Sequence, residues 1–280
     1  MSNIQQLQQF ATQVRRDILR MVHAVNSGHP GGSLGAADFL TALYQSVMER
    51  KPGFDMMGKN EDVFYLSNGH ISPLFYSVLA RSGYFPVSEL STFRKINSRL
   101  QGHPTTAEHL PGIRIASGSL GQGLSVAIGH AQAKKLDGDR QLVFTLHGDG
   151  ELDEGQIWEA ALYAGAKKVD NLIATVDYNK QQIDGPIQLV MDLGDLRAKW
   201  EAFGWKVFEM QGNDMVDIIK VMAEAKAATF QQKPIIILMH TQMGAGVDFM
   251  MGTHKWHGQA PNDQQLQNAL TQLPETLGDY

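Results

Sequence analysis

The chain contains no cysteine in its 280 residues. Disulfide bracing and thiolate chemistry, whether nucleophilic or metal-binding, are excluded with it. An excess of positive charge is also missing. The formal net charge is −5 and the pI is near 6.0, so the electrostatic footprint of a nucleic-acid binder is absent. No apolar run reaches the roughly 18 residues that a membrane span requires. The opening MSNIQQLQQF lacks the charged start and apolar stretch of a secretory signal. There is no low-complexity linker and no internal repeat. A cytoplasmic protein is expected, with no nucleic-acid or membrane partner.

What remains is ample for a core, since 43% of the residues are hydrophobic. Ile4, Leu7, Phe10, Val14, Ile18, Met21 and Val25 recur at spacings of three and four, which predicts a helix ending before Ser27-Gly28. Ser33 is expected to cap a second helix carrying Leu40, Leu43, Tyr44 and Val47. Strand-like runs follow at 63–66, 142–147, 172–177, 205–210 and 234–239, mostly separated by helical stretches. That alternation predicts an α/β fold, a parallel sheet flanked by helices, as one domain over 1–280 with an N-terminal helical region. Two helical stretches, 121–135 and 155–167, are rich in Ala and Gly with charge mainly at their ends. A surface helix shows a wider polar face. Burial within the domain accounts for part of that surface, and an extensive subunit interface is the alternative.

The most informative stretch is 148–179. A strand-like run ends in Gly148-Asp149-Gly150, a helix follows, and a second strand-like run ends near Asn179. Such a βαβ unit sets the ends of two parallel strands side by side. Asp149 and Asn179, 30 apart in sequence, then meet at the carboxyl edge, where open α/β sheets bind ligands. One carboxylate and one amide oxygen suit a hard divalent cation and leave room for phosphate oxygens. A lone GDG is often only a turn; the strand, helix, strand and Asn that accompany it here make the reading specific.

Three histidines share a local chemistry: Gly28-His29-Pro30, Gly69-His70 and Gly102-His103-Pro104. Glycine-flanked loops let a backbone approach a ligand and hold an imidazole exposed, able to donate or accept protons near neutral pH. Each alone is more often structural. Together they point to a common cleft, without metal-ligand spacing. His257, beside Gly258, is a fourth candidate, whereas His254 is equally well placed in solvent. Gly118-Ser-Leu-Gly121-Gln-Gly123 is not a dinucleotide fingerprint. A Gly-rich turn leading into a helix suits close contact with an aromatic or anionic ligand, with a plain helix-initiating turn as the alternative.

The segments SGHPGGSLG (27–35), YLSNGHISPLFYS (65–77), QGHP (101–104), PGIRIASGSLGQGLSVAIGHA (111–131), HGDGELDEGQIWEA (147–160), DYNKQQIDG (177–185) and WHGQAP (256–261) stand in this order over most of the chain. In sequence and order they resemble the N-terminal half of transketolases. The resemblance implies a thiamine diphosphate-binding fold, with thiamine diphosphate and Mg2+ (or Ca2+ in its place) as cofactors. It implies Asp149, Asn179 and the backbone carbonyl of Gln181 as metal ligands. Gly150 and His257 would contact the diphosphate, and Gly118 and Leu120 the ring part. His70, Glu154 and Asn179 complete the cofactor-binding set. His29, His70 and His103, with His257, would be the catalytic histidines near the reacting carbon. Glu154 and Glu159 match acidic residues at the family's subunit interface.

The family continues into a pyrimidine-binding domain and a C-terminal domain, which the sequence to Tyr280 does not match. The resemblance therefore implies the first subunit of a split transketolase, inactive alone. Its partner would be a C-terminal transketolase subunit carrying the pyrimidine-binding domain, the two assembled as α2β2. Together they would transfer a two-carbon ketol unit between sugars or sugar phosphates. Met243 and Gln259 stand where many relatives have Lys, which weakens the expectation of an ordinary phosphorylated sugar. Two other readings stay open: the alpha subunit of a 2-oxo acid dehydrogenase, and a non-catalytic cofactor-binding regulatory subunit.

Overall fold

Five parallel strands carry the architecture in the computed structural model, which describes residues 4–280. Residues 1–3, which open the stretch read above for a secretory signal and the 1–280 domain, lie outside the described residues. The strands are β1 (Val63–Leu66), β2 (Val143–Gly148), β3 (Leu172–Tyr178), β6 (Lys206–Gln211) and β7 (Ile235–His240). A two-residue ribbon, β4 (Gln181–Gln182) with β5 (Gly185–Pro186), hangs from the end of β3. The order across the sheet is β1-β2-β3-β7-β6. Central strands are near-continuous apolar runs, as burial on both faces demands, and Ile235, Ile236 and Ile237 have no exposed surface. The outer strand β6 carries Lys206, Glu209 and Gln211 into solvent, which blunts an open edge.

The connections run outward from β1 to β3, skip to β6 and return inward to β7. The order therefore reverses between β3 and β7, and ligands bind above such a switch point. Register sets Gly148 opposite Asp177, and Asp177 opposite Met239. The residues that follow β2, β3 and β7 thus emerge together at one edge.

The N-terminal helix α1 (Ile4–Ala24) has the predicted span. Asp17, buried on it, accepts from Arg81 Nε at 2.5 Å and Ser77 Oγ at 2.7 Å, fastening α1 to α4 (Ser72–Arg81). The expected cap at Ser33 is corrected. Pro30, with its backbone angle already set for a helix, starts α2 (Pro30–Gly35) earlier, so Ser33 lies inside it and donates to the carbonyl of His29 at 2.6 Å. The next helix, α3, covers only Ala37–Ala42 and ends in a π-turn over Leu43–Val47.

The two small-residue helices, α5 (Gly123–Leu136) and α6 (Gly155–Ala166), cover the opposite face of the sheet from α1, α3 and α4. Ala127, Ala131, Ala160, Ala161 and Ala164 are buried there. A Cβ on Gly165 would stand 1.8 Å from the carbonyl oxygen of Phe203, so this approach needs glycine. The outer face keeps Val126, Leu162 and Tyr163 at 41%, 57% and 45% exposure. Internal burial thus accounts for one side of these helices and leaves apolar groups on the other. Among the described residues, no helix is long and apolar enough to cross a membrane.

Candidate functional site

Above the β1, β2, β3 and β7 ends lies a cleft of about 250 Å³. Its floor is built by the turns after β2 and β3. Asp149 is 2% exposed. Its Oδ1 accepts from the amide of Gly150 at 2.8 Å, and its Oδ2 accepts from the amide of Lys180 at 2.6 Å. The second bond ties the two turns together directly. Asn179 Oδ1 accepts from the amide of Gln181 at 2.9 Å, and Asn179 Nδ2 donates to Asp177 at 3.0 Å. Thr241 donates to the other oxygen of Asp177.

Burial, and then the neighbouring Asp177, push the Asp149 carboxyl well above its ordinary value. Asp177 itself rises to about 6 through burial, opposed by the hydrogen bonds from Thr241 and Asn179. Two carboxyls so placed suit a divalent cation bound above them. Among the described residues no three His, Cys, Asp or Glu side chains form a metal cluster. A cation here would therefore add Asn and carbonyl oxygens and a ligand's own oxygens to the carboxylate. Asp149, Asn179 and Gln181 all line the cleft and could supply that donor set.

The facing wall brings together the four predicted histidines. His29 lies 5.1 Å from His70, 6.2 Å from His103 and 5.6 Å from His257, between ring centroids. His70 stacks on His257 at 5.1 Å. Nδ1 of His29 and of His257 are buried without a hydrogen-bond partner, as are Asn68 Oδ1 and Ser117 Oγ. The residues that carry these atoms line the same cleft, and buried polar groups of this kind take a partner from ordered water or from a ligand. Burial lowers all four imidazoles, His70 well below its ordinary value. They are accordingly neutral at pH 7 and able both to donate and to accept.

His29 has the best-defined consequence. Burial first, then His257, Arg94 and His103, bring it from 6.5 to about 4. The unfolded chain therefore binds the extra proton between these values, so stability is full above about 6.5 and falls as pH drops towards about 4. A shift of this size is worth ~3 kcal/mol at the acid end. His29→Gln is expected to flatten the acid side of the stability curve in urea titrations from pH 7 to pH 4. An unchanged slope rules out this linkage.

The third wall is the turn carrying Gly118 and Leu120, which both line the cleft. Gly121 closes this turn in the left-handed region, with φ +82°. A Cβ on Gly69 would stand 2.2 Å from the carbonyl of Ser117, so glycine lets the His70 loop pack against this turn. Glu154, expected to bind cofactor, is exposed at the start of α6 on the far side of Gly121 and does not line the cleft. Glu159 is likewise exposed on α6. His254 lies outside the cleft. Met243 lies within its lining at 1% exposure, while Gln259 is exposed.

Sequence reasoning missed Asn68, Ser117, Asp177 and Glu151, all of which line the cleft. Glu151 is 2% exposed. Its Oε1 accepts from Ser67 Oγ and from the amide of Gly121 at 2.8 Å, and its Oε2 from the amide of Gly148 at 3.0 Å. Burial opposes its ionisation, yet His147, Ser67 and Gly121 hold it below its ordinary value. The visible signal was an acid directly after GDG, at a position too close to the sheet end to reach solvent.

Residues 7–275 match the family model described as "Transketolase, thiamine diphosphate binding domain". The chain is 38% identical over 263 residues to a subunit of the apulose-4-phosphate transketolase of Phocaeicola vulgatus, covering 94% of this chain and 92% of that one. It is 39% identical over 270 residues to the 6-deoxy-6-sulfo-D-fructose transketolase subunit SqwG of a Clostridium species, covering 95% and 96%. The crystal structure of transketolase from Campylobacter jejuni superposes with a TM-score of 0.88 at 34% identity. That match takes in 97% of this chain and 43% of the Campylobacter chain, so the present chain spans less than half of the solved transketolase.

Proposed function

The chain belongs to the transketolase family, and from that membership we propose that it is the thiamine diphosphate-binding subunit of a Mg2+-dependent transketolase. In this reading a two-carbon ketol unit passes from a ketose donor to an aldose acceptor. The observation that supports it most is the bond from the Lys180 amide to Asp149, 2.6 Å long, which joins the GDG turn to the Asn179 turn beneath four neutral histidines. Asp149, Asn179 and the carbonyl of Gln181 hold the cation. Gly150 and His257 meet the diphosphate, and Gly118 and Leu120 approach the rings. The thiazolium, once bound, is the electron sink for cleavage beside the ketose carbonyl.

The remaining work falls to the protein. His29, His70 and His103 hold and move protons at the sugar hydroxyls, a role open to neutral imidazoles, and His29 keeps a buried ring nitrogen unpaired. A cleft walled on three sides keeps water from the reacting carbon once a fourth side is closed. We assign that side, and the pyrimidine end of the cofactor, to a partner subunit. Two relatives of nearly the same length as this chain are themselves named as subunits of such enzymes. Their names specify a sugar phosphate and a sulfo-sugar. Among the described residues no Lys or Arg lines the cleft, and the buried Met243 adds no charge. Recognition of an anionic sugar tail is therefore also the partner's task. Neither a 2-oxo acid dehydrogenase subunit nor a purely regulatory one has an observation in its favour beyond the shared GDG and Asn pair.

The test is turnover of the purified chain, Mg2+ and thiamine diphosphate, with and without a pyrimidine-binding partner chain. Negligible ketol transfer alone and its appearance on mixing, with a mass matching α2β2, are expected. Full turnover without a partner overturns the assignment.

A further inference from the structure

The mechanism leaves Glu151 unused, although it is a buried carboxylate in the wall of a cleft assigned to a diphosphate. A negative charge there opposes an anionic ligand, and a well-packed apolar residue would fill the space at lower energy. The hydrogen bonds show what the charge does. Glu151 takes donors from three separate segments: Ser67 at the end of β1, Gly121 in the turn before α5, and Gly148 at the end of β2. Ser67 Oγ extends the brace by accepting from the amide of Gly123 at 3.1 Å. A Cβ on Gly123 would come within 2.5 Å of Ser67 Oγ, so the turn and the strand end are packed as closely as backbone allows. Gly118 and Leu120 lie on one side of this brace and Asp149 on the other.

We propose that Glu151 is the positioning residue that fixes the spacing between the ring-binding turn, 118–121, and the diphosphate-binding turn, 148–150. This rests on the function proposed above. A bound cofactor spans both turns, so a slip between them mismatches its two ends even when each turn stays intact. Charge-assisted bonds to backbone amides are the strong class of hydrogen bond, and they suit a brace that must not yield. Glu151→Gln keeps the shape but puts an amide donor against donors at Ser67, Gly121 or Gly148.

The test compares two probes on the full chain with Mg2+: thiamine diphosphate, which spans both turns, and inorganic pyrophosphate, which needs only the second. Glu151→Gln is expected to weaken thiamine diphosphate at least about tenfold while pyrophosphate changes by no more than about twofold, on the scale seen for residues that orient metal-site ligands. A general loss of stability would weaken both alike. Hydrogen exchange without ligand is expected to speed up at the amides of Gly121, Gly123 and Gly148. An unchanged affinity ratio in the folded variant overturns the proposal and leaves the proposed function standing. If the wild type binds neither probe even with its partner chain present, the function fails, and unchanged exchange at those amides then removes the brace as well. If Glu151→Gln does not fold, Ser67→Ala, which cuts one arm, carries the test: the ratio is expected to shift the same way by a smaller factor, and no shift overturns the proposal.

Discussion

Asp149→Ala is expected to lower Mg2+-dependent affinity for thiamine diphosphate by at least about 100-fold, because a first ligand should cost more than the 10–100-fold of residues that only orient ligands. The change removes the carboxylate assigned to the cation; Asp177, which also lines the floor, accepts from Asn179 and Thr241 and is not among the assigned ligands. The substitution leaves a hard ion with neutral oxygens and solvent. The effect on the fold is expected to be small by comparison. The amides of Gly150 and Lys180 lose their acceptor, but the repulsion between Asp149 and Asp177 disappears with it. Asp149→Asn removes the charge while keeping an oxygen for one of the two amides, and sets an NH2 against the other, so it loses fewer of the turn bonds than Ala does. Calorimetric titration with and without Mg2+, beside a thermal melt, reads both affinity and stability. Wild-type affinity in a folded Asp149→Ala chain means the metal is held elsewhere.

The same floor shows why part of the site was legible and part was not. The runs at 142–147 and 172–177 are short and mostly apolar, and their alternation with helical stretches marks them as parallel strands buried on both faces. Strand ends in a parallel sheet share an edge, which placed Asp149 and Asn179 together across 30 residues. The histidines were legible because glycine and proline mark their loops. Glu151 was not, because its meaning lies in partners 30 and 84 positions away, at Gly121 and Ser67. No local pattern encodes a bond between three turns. Ser33 failed for a different reason: its capping chemistry is real, but Pro30 starts the helix first and turns the hydroxyl back onto His29. Glu154 was carried over from the family, and in this chain it stands outside the cleft on the surface beside Gly121. The helix it precedes also carries the exposed apolar groups Leu162 and Tyr163.

His103→Ala is expected to reduce turnover by about 100-fold, the lower end of what a positioned acid-base group contributes, with cofactor affinity nearly unchanged. Of the four histidines, His103 alone is largely exposed within the open cleft. His70 and His257 stack on each other, so replacing either also disturbs packing and, through His257, the diphosphate end. His103 has no such entanglement. Its ring stands 6.2 Å from that of His29, and the nearest contact to a Gly118 Cβ would be its own Cβ at 3.9 Å. Partial burial, followed by the nearby Arg94, lowers its imidazole and keeps it neutral at pH 7. In that form it accepts a proton from a sugar hydroxyl without first losing one. The variant is expected to melt with the wild type, to bind thiamine diphosphate within about twofold of it, and to lose kcat/KM with every competent sugar pair, the pattern of an interaction made to substrate. Steady-state kinetics of the chain assembled with its partner, set beside cofactor titration, distinguishes the outcomes. Undiminished turnover makes His103 a wall residue, and the proton work then falls to His29 and His70.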